Sequence, residues 1–147
     1  MSGLERFVEA QRAAYDQALA EITAGVKRSH WMWFVFPQIA GLGRSPMARL
    51  YAIGDAVEAG AYLAHPLLGA RLRECTAAML GWAGRRSAEA VLGPIDAVKF
   101  ASSMTLFDAV AETPDNPFAH ALAAFRHGER DPLTLERLQA LSQGVYP

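Results

Sequence analysis

The sequence predicts an all-α protein, a single compact multi-helical domain over residues 1–147. Three observations carry that expectation. Apolar residues recur three and four apart, as in Leu4, Phe7, Val8, Tyr15, Leu19 and Ile22, which is the spacing of one helix face. Patterned segments open on pairs such as Ser45 with Pro46, Asn116 with Pro117 and Asp131 with Pro132, where a capping side chain precedes a proline that needs no amide hydrogen. Alternating strand patterns with hairpin signals, internal repeats and low-complexity tracts are missing. The length suits one domain, and 52% hydrophobic with 20% charged residues is a globular balance.

Taken in order, Ser2 and Glu5 have capping-box spacing and start a helix that ends near Gly25. Lys27 and Arg28 follow, where cations suit the negative end of a helix. The stretch from Lys27 to Gln38, KRSHWMWFVFPQ, concentrates Trp31, Trp33, Phe34 and Phe36. Each such ring contributes roughly 1.5–3 kcal/mol when fully buried, so this is the packing anchor. Pro37 closes it, and IAGLGR over 39–44 reads as a turn in which Gly41, Gly43 and Ser45 could form an anion-binding nest beside Arg44. Glycines ahead of a helix more often serve only to turn the chain.

Ser45 and Pro46 start a helix ended by Gly54, and Asp55 with Glu58 starts another that halts near His65 because Pro66 disfavours helical geometry before it. The next helix is expected to begin at Pro66, with Cys75 on its buried stripe beside Leu68, Leu72, Met79 and Trp82. Two turns are expected over 87–93. Asp96 is the expected cap of DAVKFASSMTLFDAV, which puts Phe100, Met104 and Phe107 on one stripe and Lys99, Ser102, Ser103 and Leu106 on a neighbouring face. Two adjacent serines beside an apolar stripe imply either close helix packing or the polar lining of a cleft. The last helices start at Pro117 and Pro132 and stop at Gly128 and Gly144.

Charge and motifs exclude more than they assign. With 14 basic and 15 acidic residues, net −1, no broad positive field exists to attract nucleic acid or anionic membranes. Cys75 is alone, so no internal disulfide forms, and a reducing cytoplasm is the expected location. The start, MSGLERFVEAQ, lacks an apolar signal core, and the apolar run 31–36 is far shorter than the roughly 20 residues of a membrane span. His30, His65, His120 and His127 lack metal-ligand spacing, and no phosphate loop, nucleophile elbow or HExxH motif is present. Neither metal nor cofactor is expected.

The expected site is a pocket between the aromatic stretch and the serine face that takes a small anionic ligand. Lys27, Arg28 and Lys99 would meet a phosphate or carboxylate, Trp31 or Trp33 would stack on a flat group, and Gln38, Ser102 and Ser103 would fix orientation. His30 and Asp96 are the candidates for activating water. The alternative is an interaction module, in which the tryptophan-rich segment meets a protein partner or a second copy of the chain.

Four segments carry a resemblance: LERFVEAQ over 4–11, KRSHWMWFVFPQ over 27–38, YLAHPLLGARL over 62–72 and KFASSMTLF over 99–107. Together they resemble the family known as domain of unknown function 1810, and the likeness covers nearly the whole chain. Some of its members bear a calpastatin label, which we disregard. The resemblance implies an all-helical bacterial domain with no assigned activity. Similar proteins often carry two acids before the lysine helix, where this chain has Asp96 and then Ala97. The order of features is also faintly similar to helical domains that handle ADP-ribose and related N-glycosides, which implies hydrolysis of such a bond as the chemistry.

Overall fold

The computed structural model describes residues 3–143, and among them nine helices follow one another: α1 (Glu5–Ala24), α2 (Met32–Val35), α3 (Pro46–Leu50), α4 (Ala56–Ala64), α5 (Leu68–Leu80), α6 (Ala88–Leu92), α7 (Pro94–Val110), α8 (Pro117–Arg126) and α9 (Pro132–Ser142). The only extended pairing among these residues is an isolated parallel bridge between Ile39 and Ile53. None of these helices is long and apolar enough to cross a membrane.

α7 is the axis of the fold. Every residue over 100–107 is buried, on all faces of the helix, because α4, α6, α8 and α9 pack around it while α1, α2 and α5 complete the body. The expected amphipathic stripe is therefore replaced by a segment buried all round, hydroxyls included, as expected of a helix enclosed by others. Rings connect the layers: Phe36 meets Phe100 edge-on at 5.0 Å, Tyr62 meets Phe107 at 5.3 Å, and Phe7 meets Tyr62 at 5.2 Å. Gln11, a polar side chain buried beside these rings, is satisfied, since its Nε2 donates to Phe34 O at 2.7 Å and Tyr62 Oη at 3.1 Å.

Helix boundaries follow local chemistry with four corrections, the first being that α3 ends at Leu50, short of the expected Gly54, and Ile53 pairs with Ile39 instead. α1 ends as expected at Gly25, whose φ of 85° favours glycine; an added Cβ would lie 2.7 Å from the Trp82 ring. At its start Leu4 occupies the N-cap position without a side-chain bond, and Ser2 of the expected capping box lies outside the described residues, as does Gly144. α5 begins at Leu68 rather than Pro66, because the His65 ring takes over the capping: its Nδ1 accepts from the Leu67 and Leu68 amides at 3.1 and 3.2 Å. α7 begins at Pro94, two residues before the expected cap Asp96. Gly93, at φ 91°, turns the chain, and the fixed φ of Pro94 suits the first helical position.

Ser45, Asp55, Ser87 and Asn116 cap their helices as their positions predict, each accepting a backbone N–H three residues on. Cys75 is fully buried, and that burial pushes its thiol up to about 12, so it remains a protonated core residue.

Candidate functional site

The site is built outward from a buried acid. Glu21 lies in the last turn of α1, where the helix field disfavours a negative charge, yet it is buried. Its carboxylate accepts from five donors: the Arg28 amide (2.8 Å), the Ser29 amide (3.0 Å), Ser29 Oγ (2.6 Å), Trp31 Nε1 (2.9 Å) and Gln17 Nε2 (2.7 Å). Burial by itself would raise this acid's pKa, but the hydrogen bonds from Ser29, Arg28, Gln17 and Trp31 outweigh it and hold the carboxyl well below the usual range. The acid shapes the loop that follows α1 and turns Trp31 into the core.

From that loop Lys27 reaches across to the first turn of α7. Its Nζ lies 2.9 Å from Asp96 Oδ2, and Lys99 Nζ lies 3.5 Å from Asp96 Oδ1. One carboxylate thus bridges two ammonium groups and leaves a local surplus of one positive charge. Each lysine also lies over an indole, Lys27 5.0 Å from the Trp31 ring centre and Lys99 5.2 Å from that of Trp33.

Two adjoining cavities open along the first two turns of α7. The first, about 330 Å³, is lined by Lys27, His30, Trp33, Asp96 and Lys99 together with the Leu92 to Ile95 turn. The second, about 590 Å³, runs between α7, α9 and the glycine loop, and Gln38, Leu42, Val98, Ser102, Asp131 and Arg137 are among its walls. Pro94, Ile95 and Lys99 line both. They form one cleft with two lobes, within the size range of small-molecule sites.

The chain that builds this cleft matches a known protein family over most of its length. A family model described as "Protein of unknown function (DUF1810)" matches residues 1–138. The chain belongs to that family. A solved structure similar to this DUF1810 chain is the crystal structure of the conserved hypothetical protein Rv1873 from Mycobacterium tuberculosis: 46% identity, a TM-score of 0.89, and coverage of 94% of this chain and 97% of that one. No curated protein matches.

In this DUF1810 chain the structure brings together six of the nine expected ligand contacts and separates three. Lys27, His30, Trp33 and Lys99 line the first lobe, Gln38 and Ser102 the second, and Lys99 joins them. Trp31 is buried with its N–H on Glu21 and lines no cavity, so it supports the wall instead of stacking on a ligand. Arg28 is exposed and lines neither lobe; its backbone, not its guanidinium, is what Glu21 engages. Ser103 is fully buried, with no hydrogen-bond partner for its hydroxyl, and also lines neither lobe. The adjacent serines divide the two roles the sequence left open: Ser102 faces the cleft and donates to Asp131 Oδ2 at 2.8 Å, while Ser103 packs.

The cation role foreseen for Lys27 at the end of α1 also gives way, because Asp96 attracts its ammonium group. Ser45 is used as a cap and lies outside the lobes, although Gly41 and Gly43 line the second, so no nest forms as a unit. Sequence reasoning missed Glu21, Asp131 and Arg137. An acid in the last turn of a helix was the available signal for Glu21. Asp131 read only as a helix start, yet it also ties α9 to α7: its carboxylate accepts from Ser102 and Thr134, and its amide donates to Thr105 Oγ1 at 2.9 Å.

Proposed function

We propose that this protein binds a small anionic molecule in the two-lobed cleft, with the anion at Lys27 and Lys99. The observation that carries the reading is the position of Lys99. It lines both lobes, retains 27% side-chain exposure, and sits at the longer end of the Asp96 bridge, so an incoming phosphate or carboxylate can recruit it without emptying a buried pair. Trp33 offers a part-exposed ring beside it, and the α7 amino terminus adds the positive end of a helix dipole.

A ligand panel of inorganic phosphate, nucleotides, sugar phosphates and dicarboxylates, followed by thermal denaturation, tests the proposal. At one hundred times Kd a true ligand adds about 2.7 kcal/mol of stability, and Lys99→Ala should abolish the gain. Identical melting across the panel would remove the reading.

A catalytic version has a narrower footing. Asp96 and His30 both line the first lobe and are the groups there able to take a proton from water, which hydrolysis of an N-glycoside would need. Asp96 is freed for that task only when the ligand's anion takes over its lysines. Release of free base from nucleosides or nucleoside diphosphate sugars, lost in Asp96→Asn, would support this version. The interaction-module reading has less to grip: Trp31, Phe34 and Phe36 are in the core, and Trp33 is the part-exposed ring of the segment.

A further inference from the structure

The second lobe is larger than the first and differs from it in chemistry. Three big aliphatic side chains are left in solvent around it: Ile95 is 74% exposed, Val98 54% and Leu133 59%. Scattered exposed leucines are ordinary on a protein surface, but aliphatic groups from two helices that converge on one concavity are not scattered. α7 makes the contrast sharper, since it is buried on every face one turn further along. Among the polar groups of this lobe, Ser102 donates to Asp131 Oδ2, which also accepts from Thr134 behind it, whereas Arg137 donates from Nε to Ala40 O at 3.2 Å and leaves its buried Nη2 without a partner among the described residues. Polar contact to a ligand therefore falls to Gln38, Lys99, Glu136 and Arg137, and the rest of the open wall is the hydrocarbon of Ile95, Val98 and Leu133.

We infer that the second lobe holds an apolar, ring-sized body attached to the anion, so that the ligand class is an amphipathic acid such as an aryl or alkyl phosphate or carboxylate. Pro94, Ile95 and Lys99 line both lobes, so one molecule can keep its charged end on the lysines and lay its body along Val98 and Leu133. The inference rests on the anion site proposed above and adds the identity of what is attached to the anion. Covering three exposed aliphatic groups supplies the affinity that a bare anion lacks.

Two pairs of probes test it by titration calorimetry on the full chain: inorganic phosphate against phenyl phosphate, and acetate against benzoate. The aryl member of each pair should bind at least about tenfold more tightly than its partner, the gain expected from burying one ring. Leu133→Asp should remove most of that ratio, and Val98→Ser, a milder change at an exposed helical position, should reduce it. Circular dichroism confirms that both variants fold. Equal affinities within each pair would overturn the inference while leaving the anion site in place. Failure of all four probes to bind would overturn both. A tenfold ratio that survives both substitutions would place the ring elsewhere and overturn the inference alone.

Discussion

The two halves of α7 differ as much as two separate elements. Over 100–107 every side chain is buried, whereas the two turns from Pro94 leave Ile95 and Val98 in solvent and gather Asp96 and Lys99 beside a cleft. A helix that only served the core would keep its apolar residues covered throughout. Propensity does not distinguish the halves, since both are rich in apolar residues. What differs is coverage: α4, α6, α8 and α9 all pack against α7, but along its first turns the cleft between α7, α9 and the glycine turn leaves side chains uncovered. The lesson is that exposed hydrocarbon on a central helix marks where the fold stops and a site begins.

The largest test of that contrast is truncation in each half. Phe107→Ala should cost about 3–5 kcal/mol by opening a cavity, against less than about 0.5 kcal/mol for Ile95→Ala on the surface, both read by urea unfolding. Similar costs would erase the distinction. Next comes the acid that fixes the loop against α7. Glu21→Gln should cost about 2–4 kcal/mol, because five donors lose their charged acceptor and one meets an amide N–H.

Glu21 also makes a pH prediction whose sign is set by its direction of shift. Its folded carboxyl titrates below the ordinary 4.5, so its stabilisation is full above that value and is lost as pH falls further. Urea midpoints followed downward in pH should fall less steeply for Glu21→Gln than for the native chain; parallel curves would deny the acid this role.

Smaller effects sharpen the boundary. Lys27→Met should cost about 1–2 kcal/mol, since Lys27 is mostly buried and Asp96 would retain only the longer lysine contact. Lys99→Ala should cost under about 1 kcal/mol because that pair is more exposed. The smallest changes are at the adjacent serines. Ser102→Ala should lose about 1 kcal/mol with its bond to Asp131. Ser103→Ala should be neutral or slightly stabilising, because it removes a buried hydroxyl that has no partner. A clear loss at Ser103 would reveal a bond the structure does not contain.

Much of the scaffold was legible in the residues themselves. The prolines after Ser45, Asn116 and Asp131 marked helix starts where they occur, Gly25 marked an end, and the 3.6-residue spacing identified the helices. Errors arose where a distant or unexpected partner intervened: the His65 ring capping α5, and Gly93 with Pro94 starting α7 before Asp96. Of the site, the sequence could name Lys27, Trp33, Gln38, Lys99 and Ser102 by their chemistry. It could not tell Trp31 from Trp33 or Ser102 from Ser103, because neighbouring residues of one type differ only in which way the packed chain turns them.

The sequence by itself determined that this chain is helical, that aromatic residues anchor it and that no metal motif is present, since periodicity, capping and composition are local properties. Tertiary structure alone decided that Lys27 would reach Asp96, that Asp131 would join Ser102, and that a cleft would remain along the start of α7. Those facts depend on residues many turns apart meeting at distances of a few ångströms, and nothing in the local spacing of either partner encodes the meeting.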